Sequence, residues 1–234
     1  MTWPTKTDFV DGDVLTATQV NNIGTNLNLF DPTSATLGQV PVADGAGSVA
    51  WGAVAAGLSL ITPTSINFTG TSATINASGT VSFTACSVLS LNGIFSASYD
   101  NYLMILTGSQ SASGGSLAAR LRASGTDNSA ASSYKNNYFT VNAGTINASS
   151  GATTYWDDIA FGGANHGYQF MIYRPFAAVP TCITSYGTSD YTNAFARNTL
   201  STHNASTSFD GFSWRQDLKG TTITGIFAVY GIRS

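Results

Sequence analysis

The chain has 234 residues, 43% hydrophobic and only 9% charged, with a net charge of −3. All twelve acidic residues are Asp, and the scarcity of long charged side chains, which keep their rotamer freedom on helix surfaces, argues against a mostly helical protein. The nine Lys and Arg residues form no cluster suited to nucleic acid, and no apolar run approaches the roughly 20 residues that span a bilayer.

Ser, Thr, Asn and Gly fill the polar positions, a composition suited to strands and tight turns. The chain reads as three segments. In residues 1–30, Thr16-Ala17-Thr18-Gln19 fits a capping box, and Val20, Ile23, Leu27 and Phe30 then make one apolar stripe on a short helix. Asp31-Pro32 ends it. Such a helix is marginal alone in water, so the stripe is an oligomerisation or attachment interface with copies of itself, or it packs on its own domain.

Residues 31–62 read as an extended Gly-rich linker. Asp44-Gly45 between Val40/Val42 and Val49/Trp51 signals a turn or hairpin, yet no helix or proper strand fits the segment. It is either flexible or ordered by winding with identical neighbours.

Residues 63–234 form the body. Val81, Phe83 and Ala85 alternate with Ser82 and Thr84. Tyr102–Thr107 is apolar on both faces, as a central strand is. Leu117, Ala119 and Leu121 alternate with Ala118, Arg120 and Arg122, which points both arginines away from the core. Further strands are expected at 134–141, 168–173, 181–186, 195–200 and 209–214. The strongest is 222–232. This is the pattern of an antiparallel β-sandwich, jelly-roll-like, with eight or nine strands. Cys86 and Cys182 lie in strand-like stretches and read as buried free thiols, with a disulfide as the alternative.

Catalytic and metal-binding constellations are sparse. A glycan hydrolase needs two carboxylates about 5–10 Å apart. The only adjacent pair is Asp157-Asp158, and neighbours in a strand point to opposite faces. Asp8, Asp11 and Asp13 lack the bidentate acid that closes a calcium loop. No catalytic residue, metal or cofactor is expected. Ligand binding suits the chain better, because loops on rigid scaffolds carry recognition. The candidates are Tyr155, Trp156, Asp157 and Asp158 in one loop-like stretch, Tyr186, Asp190 and Tyr191 in another, and Trp214 with Arg215 at a strand end. The alternative for the tryptophans is a core or subunit-interface position.

Three segments carry a resemblance. DGDVLTATQVNNIGTNL (11–27) resembles the opening of many phage structural proteins, VADGAGSVAWG (42–52) the short linker between attachment region and head, and GTTITGIFAVYGIRS (220–234) the closing strand of such heads. Together they resemble bacteriophage tail-fibre and related virion surface proteins. The resemblance implies a homotrimer that attaches by its N-terminus to another virion protein and exposes a C-terminal head to a host glycan or protein. A structural head-fibre or decoration protein of the capsid and a glycan depolymerase are the alternative roles. The opening MTWPTKTDF lacks a secretory pattern, so synthesis in the host bacterial cytoplasm is expected, followed by a place on the virion.

Overall fold

The computed structural model describes residues 39–43, 49–53, 57–112, 115–142, 145–190, 195–216 and 220–232. The expected N-terminal helix, with Val20, Ile23, Leu27 and Phe30, lies outside these residues, as does Tyr191. The described residues form strands and no helix, so none of them builds a helix long and apolar enough to cross a membrane. The chain divides into two compact units, Met1–Ala56 and Gly57–Ser234.

The first unit contains a two-stranded antiparallel ribbon, β1 (Gln39–Ala43) and β2 (Val49–Ala53), with Pro41 opposite Trp51. The expectation that no proper strand fits 31–62 is therefore corrected. The short apolar pieces on either side of Asp44-Gly45 pair with each other, and a two-stranded ribbon has only edge strands, where a proline is tolerated.

The second unit is a sandwich-like pair of antiparallel sheets. The larger has ten strands: β3 (Leu58–Leu60), β5 (Ser72–Ile75), β6 (Val81–Cys86), β8 (Asn101–Gln110), β11 (Tyr134–Asn142), β12 (Thr145–Thr153), β14 (His166–Tyr173), β15 (Thr181–Ser189), β16 (Phe195–His203) and β18 (Ile223–Ile232). Their order is β12-β11-β16-β15-β14-β8-β18-β6-β5, with β3 beside β18. The smaller sheet comprises β4 (Ser65–Thr69), β7 (Val88–Asn92), β9 (Ser116–Ala123), β10 (Thr126–Asp127), β13 (Trp156–Phe161) and β17 (Gly211–Gln216), in the order β10-β9-β17-β7-β4 with β13 also against β9. Strand β3 falls inside the stretch expected to be linker, and it is hydrogen-bonded to β18.

Period-two alternation drives one face of each sheet into a shared core. Tyr102, Met104 and Leu106 of β8, Tyr168, Phe170 and Ile172 of β14, and Phe227 and Val229 of β18 point in from the large sheet. Leu89, Leu91, Leu121, Phe212 and Trp214 meet them from the small one. Phe83 lies 5.3 Å from Trp214 and Phe212 lies 6.2 Å from Phe227, ring to ring across the two sheets. Each such large apolar side chain contributes about 1.5–3 kcal/mol by leaving water.

Two local departures from simple alternation matter. Ala85 has φ +46 and the β6–β18 register shifts there, so a β-bulge turns Cys86 into the core in place of Ala85. The hydroxyl of Thr224 accepts the Ala85 amide at 2.9 Å, which satisfies the backbone group the bulge leaves unpaired. Arg120 and Arg122 do sit on the face of β9 away from the core, but not in open solvent. Arg122 is only 6% exposed, donating to Ser90 at 2.9 Å and Asn92 at 3.0 Å and paired with Asp127. Arg120 donates to the Thr154 carbonyl at 3.0 Å. Both cysteines are free thiols; Cys86 is buried and Cys182, expected to be buried, is exposed.

Candidate binding face

The two outer faces of the sandwich differ in chemistry. On the small sheet the outward side chains include Arg120, Arg122 and Asn92, tied to neighbours by hydrogen bonds and an ion pair, and Arg215, set against the Tyr155 ring. On the large sheet the registers bring Ile105, Gln169, Tyr186, Asn198 and Phe139 into one transverse row, with Ile226, Thr107, Gly167, Thr188 and Val141 in the next. Among the described residues, Lys135 is the one charged side chain that the strands of this sheet present outward. Tyr186 (53% exposed), Leu200 (52%), Ile226 (48%), Phe139 (41%) and Ile146 (72%) all stand on it.

A groove of about 1020 Å³ crosses β18, β8, β14 and the end of β15. One wall is Ile226, Thr107 and Thr188; the other is Thr224, Ser109, Asn165 and Asp190. Its floor is backbone, because Gly225 and Gly108 pair across β18 and β8 and the adjoining His166 and Ser189 turn their side chains inward. Only glycine fits at these two places. A Cβ on Gly225 would lie 2.2 Å from the Thr107 carbonyl, and one on Gly108 would lie 2.4 Å from that of Thr224. Gly167 is different, since a Cβ there meets nothing within 4 Å; its lack of a side chain leaves a gap in the wall between Thr107 and Thr188.

Through that gap the groove continues along β14. A second depression of about 300 Å³ shares Thr107, Gly167 and Thr188 and adds Gln169 and Tyr186. A third of about 320 Å³ shares Gln169 and Tyr186 and runs on to Met171, Tyr173 and Asn198. No Lys or Arg is among the described residues that line the three.

Among the described residues that line the groove, Asp190 is the charged one. Its carboxylate accepts the Asn165 backbone amide at 2.8 Å and the Asn165 side-chain amide at 3.0 Å, and its own amide donates to the Asn165 carbonyl at 3.0 Å. The Asn165 backbone N–H, foremost, holds the carboxyl below its usual range, so Asp190 is ionised and fixed in direction while exposed.

The other expected binding residues are dispersed. Trp156 (0% exposed) and Trp214 (1%) are core residues, which corrects their assignment to a binding surface. Each precedes a charged residue, and alternation sends Trp inward as its neighbour goes outward. Tyr155 lies on the small-sheet side, with the Arg215 guanidinium 5.0 Å and the Arg120 guanidinium 5.8 Å from its ring. The Asp157 carboxylate accepts the amide of Asp158 at 2.9 Å. Asp158, with φ +53, pairs at 2.5 Å with Arg197, itself 6% exposed. Arg197 also covers the Tyr138 ring at 4.6 Å. Asp158 therefore serves as the counter-ion of a buried guanidinium. Of the eight of these residues that are described, Tyr186 and Asp190 alone come together on the groove and its continuation, with Asn165, Gly167, Gln169, Thr107 and Thr188, which carried no signal of their own in the sequence.

Among the described residues no three His, Cys or Asp side chains gather to share a metal ion. Neither a scan of protein-family models nor a search of curated proteins finds a match to this chain.

Proposed function

We propose that this chain is a non-enzymatic surface protein of a bacteriophage virion, attached by its N-terminal segment and binding the host surface with the large-sheet face of its head. The observation that carries the reading is the asymmetry of the sandwich. One outer face is closed over by arginine networks, and the other is grooved, nearly uncharged and rich in hydroxyl, amide and aromatic groups. Large exposed apolar areas rimmed by polar groups mark interaction sites.

Strand order supports the finer assignment to a jelly roll. The sequence β6-β18-β8-β14 in one sheet faces β7-β17-β9-β13 in the other, and the chain alternates between sheets as two wrapped Greek keys require. Strands β15, β16, β11 and β12 then widen the first sheet. Jelly rolls serve in viral capsids and lectins, though a fold alone fixes no function. The short N-terminal helix and assembly into a homotrimer belong to the same proposal. Support for assembly comes from β12, whose residues 145–152 are all exposed, a strand edge that soluble proteins usually cover.

Adsorption tests this reading. The purified full chain should bind permissive bacterial cells and compete with phage adsorption. A phage lacking the protein that adsorbs normally would overturn host binding and leave a structural decoration role.

A further inference from the structure

From the groove's chemistry we infer that its ligand is a neutral, hydroxyl-rich polysaccharide chain lying along β14, from Asp190 past Gly167 to Tyr186. This rests on the reading of the head as a host-binding module and names the class of molecule it takes.

Shape comes first. The groove and its two continuations are open and connected through the Gly167 gap, and they follow β14 from His166 to Tyr173. At roughly 3.4 Å per residue that is a track of about 24 Å, suited to a chain of several linked rings rather than a single small molecule. Chemistry then selects among chains. The walls offer the hydroxyls of Thr107, Ser109, Thr188 and Thr224 and the amides of Asn165 and Gln169, groups that both donate and accept, as sugar hydroxyls do. Tyr186, half exposed beside the gap, supplies a flat aromatic surface with a polar tip for the apolar face of a ring.

Charge excludes the acidic polysaccharides. A uronate, sialate or phosphate in this track would meet the ionised Asp190 and find no Lys or Arg among the described lining residues. A neutral sugar instead gives Asp190 hydroxyls to accept, and charge-assisted bonds of that kind are the strong ones. Asn165 already holds the carboxylate in place, so little ordering is left for the ligand to impose.

The test is a glycan array carrying neutral and acidic bacterial polysaccharides, probed with the full chain and two variants. Gly167→Trp plugs the track at a site where a Cβ touches nothing and where the aromatic suits a strand. Asp190→Asn removes the charge and keeps the shape. The wild type should bind at least one neutral glycan and no acidic one. Each variant should weaken binding at least about tenfold with an unchanged unfolding temperature. Binding to acidic glycans, or neutral binding that survives both substitutions, overturns the inference while leaving host adsorption standing. Failure to bind any glycan, together with a smaller assembled mass for Gly167→Trp, also overturns it and makes the groove a seam between copies. Loss of host adsorption by the wild type itself is the separate failure of the broader reading.

Discussion

Arg197 is charged and 6% exposed, and the Asp158 carboxylate and the Tyr138 and Phe195 rings meet its guanidinium. Asp158→Ala removes the carboxylate paired with that buried guanidinium and should cost about 3–5 kcal/mol in urea unfolding. Glycan binding should be unchanged, the opposite of what a ligand-contacting carboxylate would give. Two glycines one strand apart make a paired test. Gly167→Ala should be close to neutral, since its Cβ meets nothing. Gly187→Ala drives a methyl to 2.3 Å from the Gly167 carbonyl and the Tyr168 ring and should destabilise by about 1–3 kcal/mol. His166 and His203 are both buried, and burial lowers both pKa values. The unfolded chain therefore binds more protons than the folded one as pH drops. Stability is complete above the unfolded value of about 6.5 and declines below it, toward the lowered folded values. Melting temperature should fall on going from pH 7 to pH 5, and the double variant His166→Gln, His203→Gln should flatten that slope.

At the scale of elements, strands whose side chains alternate or are apolar throughout were legible in the sequence: β8, β14 and β18 occupy the stretches their patterns mark. Strand β12 was not, because TINASSGAT has one large apolar residue and both its faces are exposed, which leaves no burial to write a pattern. The bulge at Ala85 was equally hidden, since VSFTA alternates without interruption and the extra residue is fixed by pairing with β18. The candidate face was half legible. Tyr186 and Asp190 stand out in one polar aromatic stretch at the end of β15, whereas Asn165, Gly167 and Gln169 join them only through the pairing of β14 with β15. The exposed apolar residues of the outer strands give a prediction at this scale. Ile146→Lys and Leu200→Lys should each change the stability of the folded head by under about 0.5 kcal/mol, as surface substitutions do. Sedimentation should nevertheless show a lower assembled mass than the trimer expected of the full chain.

Across the whole molecule, the strands nearest the C-terminal end of the chain occupy the middle of both sheets. β17 lies between β9 and β7, and β18 lies between β8 and β6, with β3 alongside it. Leu60 pairs with Tyr230 and Ser59 with Gly231, contacts between residues far apart in the chain, which makes folding slow by loop-closure entropy. Until Gly211–Ile232 leaves the ribosome, β6, β8, β7 and β9 each lack a central partner, Phe83 lacks the Trp214 ring and Leu106 lacks its cross-strand neighbour Phe227. The sandwich is thus zipped shut only after translation has passed its last strand. A chain terminated before these strands yields no closed sandwich, so unfinished copies are left to proteases and chaperones.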